Sequence, residues 1–278
     1  MSISCYASLA ACAAAATLLS GFAAPLVRAG DLPKADFTKP ADAASGGAPA
    51  GEDLSSQASD PTASLMAFNF LGTYTGGFHG DGGGLPDDSL SLTFRPAIPF
   101  TFLDHPNLLR LTVPYQLGGR GEEGFGPVSV FDLFMFNKSW GRWGFGPLLN
   151  FDTTGDLPDG FAAGPAVGAV TNLSKKLKVG LFSQNLFAGD TAISQLQPVI
   201  AYQLGNGWSL SAGDLQYIYD WEASQWLSAP VGFQLGKVTK FGRQPVRLAA
   251  NPQYNLIDRD GLNEWSVTIT FTALFPTF

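Results

Sequence analysis

Two histidines, His79 and His105, are the chain's only imidazoles. Neither has a serine motif beside it that would make a base and nucleophile pair. No spaced pair of histidines or cysteines offers metal-ligand geometry. Both cysteines, Cys5 and Cys12, fall in the first thirty residues, inside a segment that reads as a leader. Thiol catalysis, disulfides, metal and cofactor are therefore not expected in the mature chain, and an enzyme is not the expected class. What remains is a scatter of single polar residues: Arg95, Arg110 and Arg247, the acids Asp132 and Asp152, and the amides Asn69, Gln116, Asn150, Gln197, Gln203, Gln234, Asn251 and Gln253. Such a set does no covalent chemistry. On strands that share one lumen it can line a passage and sort solutes by charge and size.

The elements that would carry these residues alternate apolar with polar. Trp265, Val267, Ile269, Phe271, Ala273 and Phe275 alternate with Ser266, Thr268, Thr270, Thr272 and Leu274. Leu109 to Leu117, Leu90 to Ile98 and Trp143 to Phe151 repeat the pattern. Weaker stretches occur at Ser64–Thr75, Val128–Asn137, Phe161–Asn172, Leu177–Phe187, Ile193–Leu204, Trp208–Tyr219, Gln225–Val238 and Pro245–Leu256. Together they predict an all-β, antiparallel up-and-down transmembrane β-barrel of about twelve strands over 64–278, an even number as closed bacterial barrels require. By strand parity these arginines, acids and amides are expected to point inward. The residues expected to line a pore are Arg95, Arg110, Gln116, Asp132, Asp152, Gln203, Arg247 and Asn251.

The links between strands sort by charge. One set is acidic: Asp81 with Asp87 and Asp88, Glu122 with Glu123, Asp156 with Asp159, Asp190, Asp220 with Glu222, and Asp258 with Asp260. The alternate set is short and mostly basic: Lys138 with Arg142, Lys175 with Lys176, and Lys237 with Lys240 and Arg243. Asn206-Gly207 belongs to the second set and signals a two-residue hairpin. A barrel explains this sorting, since alternate links lie on opposite faces, with the acidic set as extracellular loops and the basic set as periplasmic turns. His79 then falls in the first extracellular loop and His105 in the first periplasmic turn. Trp140, Trp143, Trp208, Trp221, Trp226 and Trp265 fall near strand ends, where aromatic girdles sit. Prolines at 96, 99, 114, 147, 165, 198, 230 and 252 run against the reading, because each deletes a ladder donor. Bulges or strand ends are expected there.

Composition agrees with lipid on one side. Charged residues are 14% and hydrophobic residues 45%, with 33 glycines, against the ~25% charged of an ordinary soluble domain. After the leader no apolar run approaches the ~18 residues of a membrane helix. Residues 1–29 read as a signal peptide, with an apolar core at Leu9–Leu19 and small residues at Gly21-Phe22-Ala23 and Val27-Arg28-Ala29. The formal charge of −7 becomes −8 once Arg28 leaves, which argues against nucleic acid as a partner. Residues 30–63 are rich in Ala, Gly, Ser, Pro and Asp and read as a disordered periplasmic linker, with a lumen plug as the alternative.

The C-terminal third carries a recognisable set of residues: Gln197-Pro198-Val199-Ile200-Ala201-Tyr202-Gln203-Leu204, Asn206-Gly207-Trp208, Ala229-Pro230-Val231-Gly232, Gly236-Lys237-Val238, Gly242-Arg243-Gln244-Pro245-Val246 and Phe275-Pro276. Here the sequence resembles the outer-membrane transporter family called "MetA-pathway of phenol degradation", also labelled neuromedin U-like. From Ser64 to Gln195 the likeness is architectural only. The loop from Asp220 to Gln225 is shorter than usual for that family and the Asp31–Ala63 segment longer. The resemblance implies a barrel and uptake of small organic compounds, aromatic or hydrophobic ones among them, and carries over no ligand residues. The expected function is a passive outer-membrane channel in the bacterial cell outer membrane. Its expected partners are outer-membrane lipid and lipopolysaccharide, the barrel-assembly machinery and a small-molecule solute. Phe271 and Phe275, in phase on the last strand, are the expected assembly signal. A closed structural or adhesive barrel and an outer-membrane hydrolase are the competing classes.

Overall fold

The computed structural model describes residues 54–58, 63, 65–80, 84–155 and 160–275. The leader, most of the linker, Pro276 and Phe278 lie outside them, as do Asp81, Asp156 and Asp159. Twelve antiparallel strands form the wall. They are β1 (Met66–Phe78), β2 (Ser89–Phe102), β3 (His105–Gly119), β4 (Val128–Lys138), β5 (Gly141–Phe151) and β6 (Phe161–Asn172). Then come β7 (Leu177–Ala188), β8 (Thr191–Gly205), β9 (Trp208–Ser211 and Tyr217–Asp220), β10 (Gln225–Ser228, Pro230–Gly232 and Gln234–Phe241), β11 (Gln244–Asn255) and β12 (Asn263–Phe275). A two-residue ladder at Gly124–Phe125 is an offshoot of β3. Each strand pairs with its sequence neighbour, and β12 returns to pair with β1 from Met66↔Phe275 to Phe78↔Asn263, so the barrel is closed.

Alternation makes this wall. Phe70 lies between Phe94 and Phe271 in the register, Tyr74 between Leu90 and Val267, and all face outward. Phe145, Phe187 and Ile269 remain 47%, 52% and 54% exposed on that outer face. An apolar outer surface of this extent would be costly in water and suits lipid. Trp265 packs edge-on to Tyr74, and Trp221 and Trp226 both contact Tyr219 near one rim. At the other rim Lys237 lies over Trp208.

Tight turns gather at one end. Leu103-Asp104 and Asn206-Gly207 both hold positive φ at both positions (49° and 60°, 51° and 78°), the conformation whose twist matches the flanking strands. The Asn-Gly hairpin read from sequence is therefore present. Three of the eight prolines, at 96, 147 and 165, lie at gaps in a ladder. The paired register skips Arg95-Pro96 on the β3 side, Gly146-Pro147 on the β4 side and Gly164-Pro165 on the β7 side. A missing N–H at these places coincides with a local gap in one ladder while the opposite ladder stays continuous.

The interior is divided. On the β3–β7 side Leu108, Phe131, Leu133, Met135, Leu148, Ala162, Ala166, Phe182, Leu186 and Ala188 form an apolar cluster inside the barrel. The β8–β12 side with β1 and β2 carries Gln197, Gln234, Arg247, Asn251, Asn255, Ser266, Thr268, Thr270 and Thr272, all buried. The polar inward positions expected from sequence thus share the lumen with an apolar half.

Asp132, expected to line the pore, does not face it. Asp132 pairs in register with Leu109, which continues the outward row of Val113 and Phe94, so its side chain faces outward. There it accepts hydrogen bonds from Asn107 Nδ2 at 3.1 and 3.3 Å. The inward positions of β4 are Phe131, Leu133 and Met135.

The strand β9 is broken by one extra residue. Ser211 pairs with Ala201 of β8 and Tyr217 with Leu196, so six β9 steps oppose five on β8. This bulge exchanges inward and outward positions beyond it. Gly213, at φ 67°, takes the backbone through the bend, and Asp214 follows it into the lumen.

Candidate functional site

The polar half of the lumen holds a cavity of about 90 Å³, room for several waters. Arg95 of β2, Arg110 of β3, Gln197 of β8, Asp214 of β9, Gln234 of β10 and Arg247 of β11 supply its polar lining. Ala67, Leu71 and Ala97 give it an apolar side, and Gln57, Ala58, Ala63 and Leu65 enter from the N-terminal segment.

An ion pair spans the lumen. Arg95 Nη1 donates to Asp214 Oδ2 at 2.6 Å, although β2 and β9 stand nearly opposite in the wall order. The bulge in β9 makes the reach possible by carrying Asp214 inward. Gln197 Nε2 donates to Asp214 Oδ1 at 3.1 Å and to the Gly213 carbonyl at 3.3 Å. Asn251 Oδ1 accepts from the Asp214 backbone N–H at 3.2 Å. Arg247 Nη2 donates to Gln234 Oε1 at 2.7 Å, with its guanidinium beneath Gly236, where a Cβ would come within 2.6 Å of it. Arg110 meets no carboxylate at ion-pair distance among the described residues, and its guanidinium lies 5.9 Å from the centre of the Phe131 ring. Three cations therefore face one anion around this cavity, a net charge of +2 in a partly apolar enclosure.

A helical turn, α1 (Leu54–Gln57), lies in the segment read from sequence as an unstructured linker. Leu54 and Ala58 pack with Val238 against Ala63, Leu65, Ala67 and Leu274, a small apolar nest inside the wall. The described part of this segment therefore lies on the inner side of the wall.

The other predicted pore-lining residues do different work. Asn251 is fully buried and ties strands together: Nδ2 donates to the Phe233 carbonyl at 2.7 Å while Oδ1 holds Asp214. Gln203 is buried beside Ser209 near the tight-turn end, away from the cavity. Gln116 Nε2 folds onto its own strand at the Gly118 carbonyl, 2.6 Å away. Asp152 is a second correction. It follows the end of β5, and its Oδ1 accepts from Thr154 N, Thr154 Oγ1 and Gly155 N at 2.8, 2.7 and 3.0 Å, so it caps a rim turn. Phe271 and Phe275 both face outward, packed against Phe70 and Phe68.

Asp214 was not anticipated. Its signal in the sequence is Ser211-Ala212-Gly213-Asp214, where a glycine and an acid interrupt the alternation. The histidines do not converge. His79 joins loops at one rim, with Nδ1 3.3 Å from Asp258 and Nε2 3.4 Å from the Asn255 carbonyl. His105 opens β3 at the far end, beside Phe136.

Among solved structures the chain is similar to the KdgM porin in complex with disordered oligogalacturonate, at 10% identity and a TM-score of 0.48, covering 75% of this chain and 99% of that one. The KdgM porin alone gives a TM-score of 0.47 at the same identity and coverage. A triple mutant of Rhodopseudomonas blastica porin gives 0.30 at 10% identity, covering 76% and 99%. No family profile and no curated protein matches the sequence.

Proposed function

We propose that this chain is a channel of the bacterial outer membrane for passive uptake of small organic solutes, aromatic and hydrophobic ones among them. The observation that carries the reading is the arginine-lined cavity inside a closed barrel with an apolar exterior, entered by an N-terminal segment that is not part of the wall. Charge and apolar surface share the cavity, which suits molecules with one polar end and one apolar body. The resemblance of residues 197–278 to a transporter family of phenol degradation points to the same solutes. In this reading residues 1–29 direct export, the tight-turn end is periplasmic, lipid and lipopolysaccharide surround the wall, and the outward Phe271 and Phe275 serve the assembly machinery.

The test is single-channel conductance of refolded protein in a planar bilayer, with and without residues 31–63. The expected result is discrete steps that grow when the segment is removed. Silence from both forms, with heat-modifiable migration showing a folded barrel, would assign the protein to the closed structural or adhesive class.

A further inference from the structure

Between β9 and β10 the wall has a section without ladder pairing. Towards one end Trp208–Ser211 pairs with Gln234–Lys237, and towards the other Ile218–Asp220 pairs with Gln225–Ser228. Residues 212–217 and 229–233 between them form no pair with each other. Side-chain amides hold the backbone instead. Asn251 bridges Asp214 N–H on one strand to the Phe233 carbonyl on the other, Gln197 takes the Gly213 carbonyl, and Asn255 Oδ1 accepts from Ala229 N at 2.9 Å. Unpaired backbone at membrane depth is tolerated only where protein covers it or a cavity adjoins it. Three amides committed to one gap mark it as a constructed feature.

Both conditions hold here. On the inner side Gly213, Asp214 and Gln234 line the arginine cavity. On the outer side lies an apolar groove of about 630 Å³, walled by Pro198, Ile200, Leu215, Tyr217, Trp226 and Phe233. Gly213 and Leu215, two residues apart, thus line opposite sides of a wall one backbone thick. The groove has the volume of a small-molecule site and four aromatic side chains in its lining, Tyr202, Tyr217, Trp226 and Phe233. Its neighbour across the wall offers a carboxylate and a guanidinium.

We propose that this gap is a lateral window, through which a small neutral aromatic bearing one polar group passes between the lumen and the bilayer, with the Arg95–Asp214 pair as its latch. The proposal rests on the channel reading above. The ring is matched by the groove and the polar group by the latch residues, a division that an acyl chain does not use. Opening needs the Gly213–Asp214 bulge to shift, and only side-chain hydrogen bonds and one ion pair oppose it across this seam.

The two native cysteines stand at positions 5 and 12, so a pair introduced in the wall is unique in the barrel. Continuing the register from Ser211↔Gln234 places Ala212 opposite Phe233. Cells expressing Ala212→Cys with Phe233→Cys, oxidised and then reduced, are compared for uptake of radiolabelled p-cresol, with empty-vector cells as background. The same protein is measured for conductance after removal of residues 31–63. The expected result is uptake lower by about fivefold or more when oxidised, restored by reductant, with conductance within about twofold throughout. Ala212→Trp, which fills the groove without a disulfide, is expected to lower uptake alike. Unchanged uptake in the oxidised pair, with the disulfide confirmed by mass spectrometry, or in Ala212→Trp with a folded barrel, overturns the window and leaves the channel standing. Loss of conductance in every form overturns the channel, and the window with it.

Discussion

Arg95 and Asp214 are the most informative pair to perturb, because one sits on the wall and the other on a bulge that crosses to meet it. At 2.6 Å, with 14% and 21% of the side chains exposed, they are largely withdrawn from water. Removing one partner of a fully buried pair costs about 3–5 kcal/mol, since the survivor keeps its charge without compensation. The residual exposure lowers this to about 2–3 kcal/mol for Arg95→Met or Asp214→Leu alone. The double variant removes one charge of each sign and leaves the net +2 around the cavity unchanged, so its cost is no more than about 2 kcal/mol. A coupling energy of at least about 2 kcal/mol follows, far above the ~0.5 kcal/mol scatter of independent sites. Urea unfolding in phospholipid vesicles, followed by tryptophan fluorescence and checked for reversibility, gives all four free energies. Additivity within that scatter would refute the claim that this pair holds the bulge in the lumen.

Asn251→Leu strands the Asp214 N–H and the Phe233 carbonyl together, and is expected to cost about 2–4 kcal/mol by the same unfolding measurement. With residues 31–63 removed, the reversal potential in a salt gradient is expected to show anion preference, and Arg110→Gln to weaken it, because three cations face one anion around the cavity. Asp132→Leu combined with Asn107→Leu is expected to leave conductance unchanged and stability equal or higher by about 1 kcal/mol, because the pair faces the lipid side. Asn206→Ala, at φ 51°, is expected to cost about 1 kcal/mol, read as a lower urea midpoint at unchanged slope.

Strand positions were legible because two-residue alternation is strong wherever one face meets lipid, as from Trp265 to Phe275. Arg95 and Arg110 lie on the inner face for the same reason, each flanked by apolar residues on an unambiguous strand, and Arg247, on a weaker stretch, is flanked by Val246 and Leu248. Asp132 was misplaced because β4 is apolar on both faces, Val130, Phe134 and Phe136 against Phe131, Leu133 and Met135, so the one polar residue was given to the lumen. Alternation cannot report that half of that lumen is greasy. Asp152 failed for a different reason: the strand stops at Phe151, and the carboxylate is spent on a turn. Asp214 needs knowledge of a bulge, which shifts register by one residue and leaves no trace in composition. The turn at Leu54–Gln57 is invisible because its burial comes wholly from the barrel that surrounds it.

The seam between β1 and β12 sets the order in which the molecule can be made. Thr272 and Asn69, hydrogen-bonded at 2.8 Å, are separated by 203 positions in the chain. Bringing such distant ends together costs about 5 kcal/mol of chain entropy before any contact is gained. Until the last strand arrives, the first presents a bare edge, and lipid offers it no hydrogen bonds. The aromatic row Phe94, Phe70 and Phe271, with Phe68 against Phe275, lies along this seam on the outer face. It acts as a zip fastened last, so damage to the final dozen residues would leave a complete sheet that cannot become a tube.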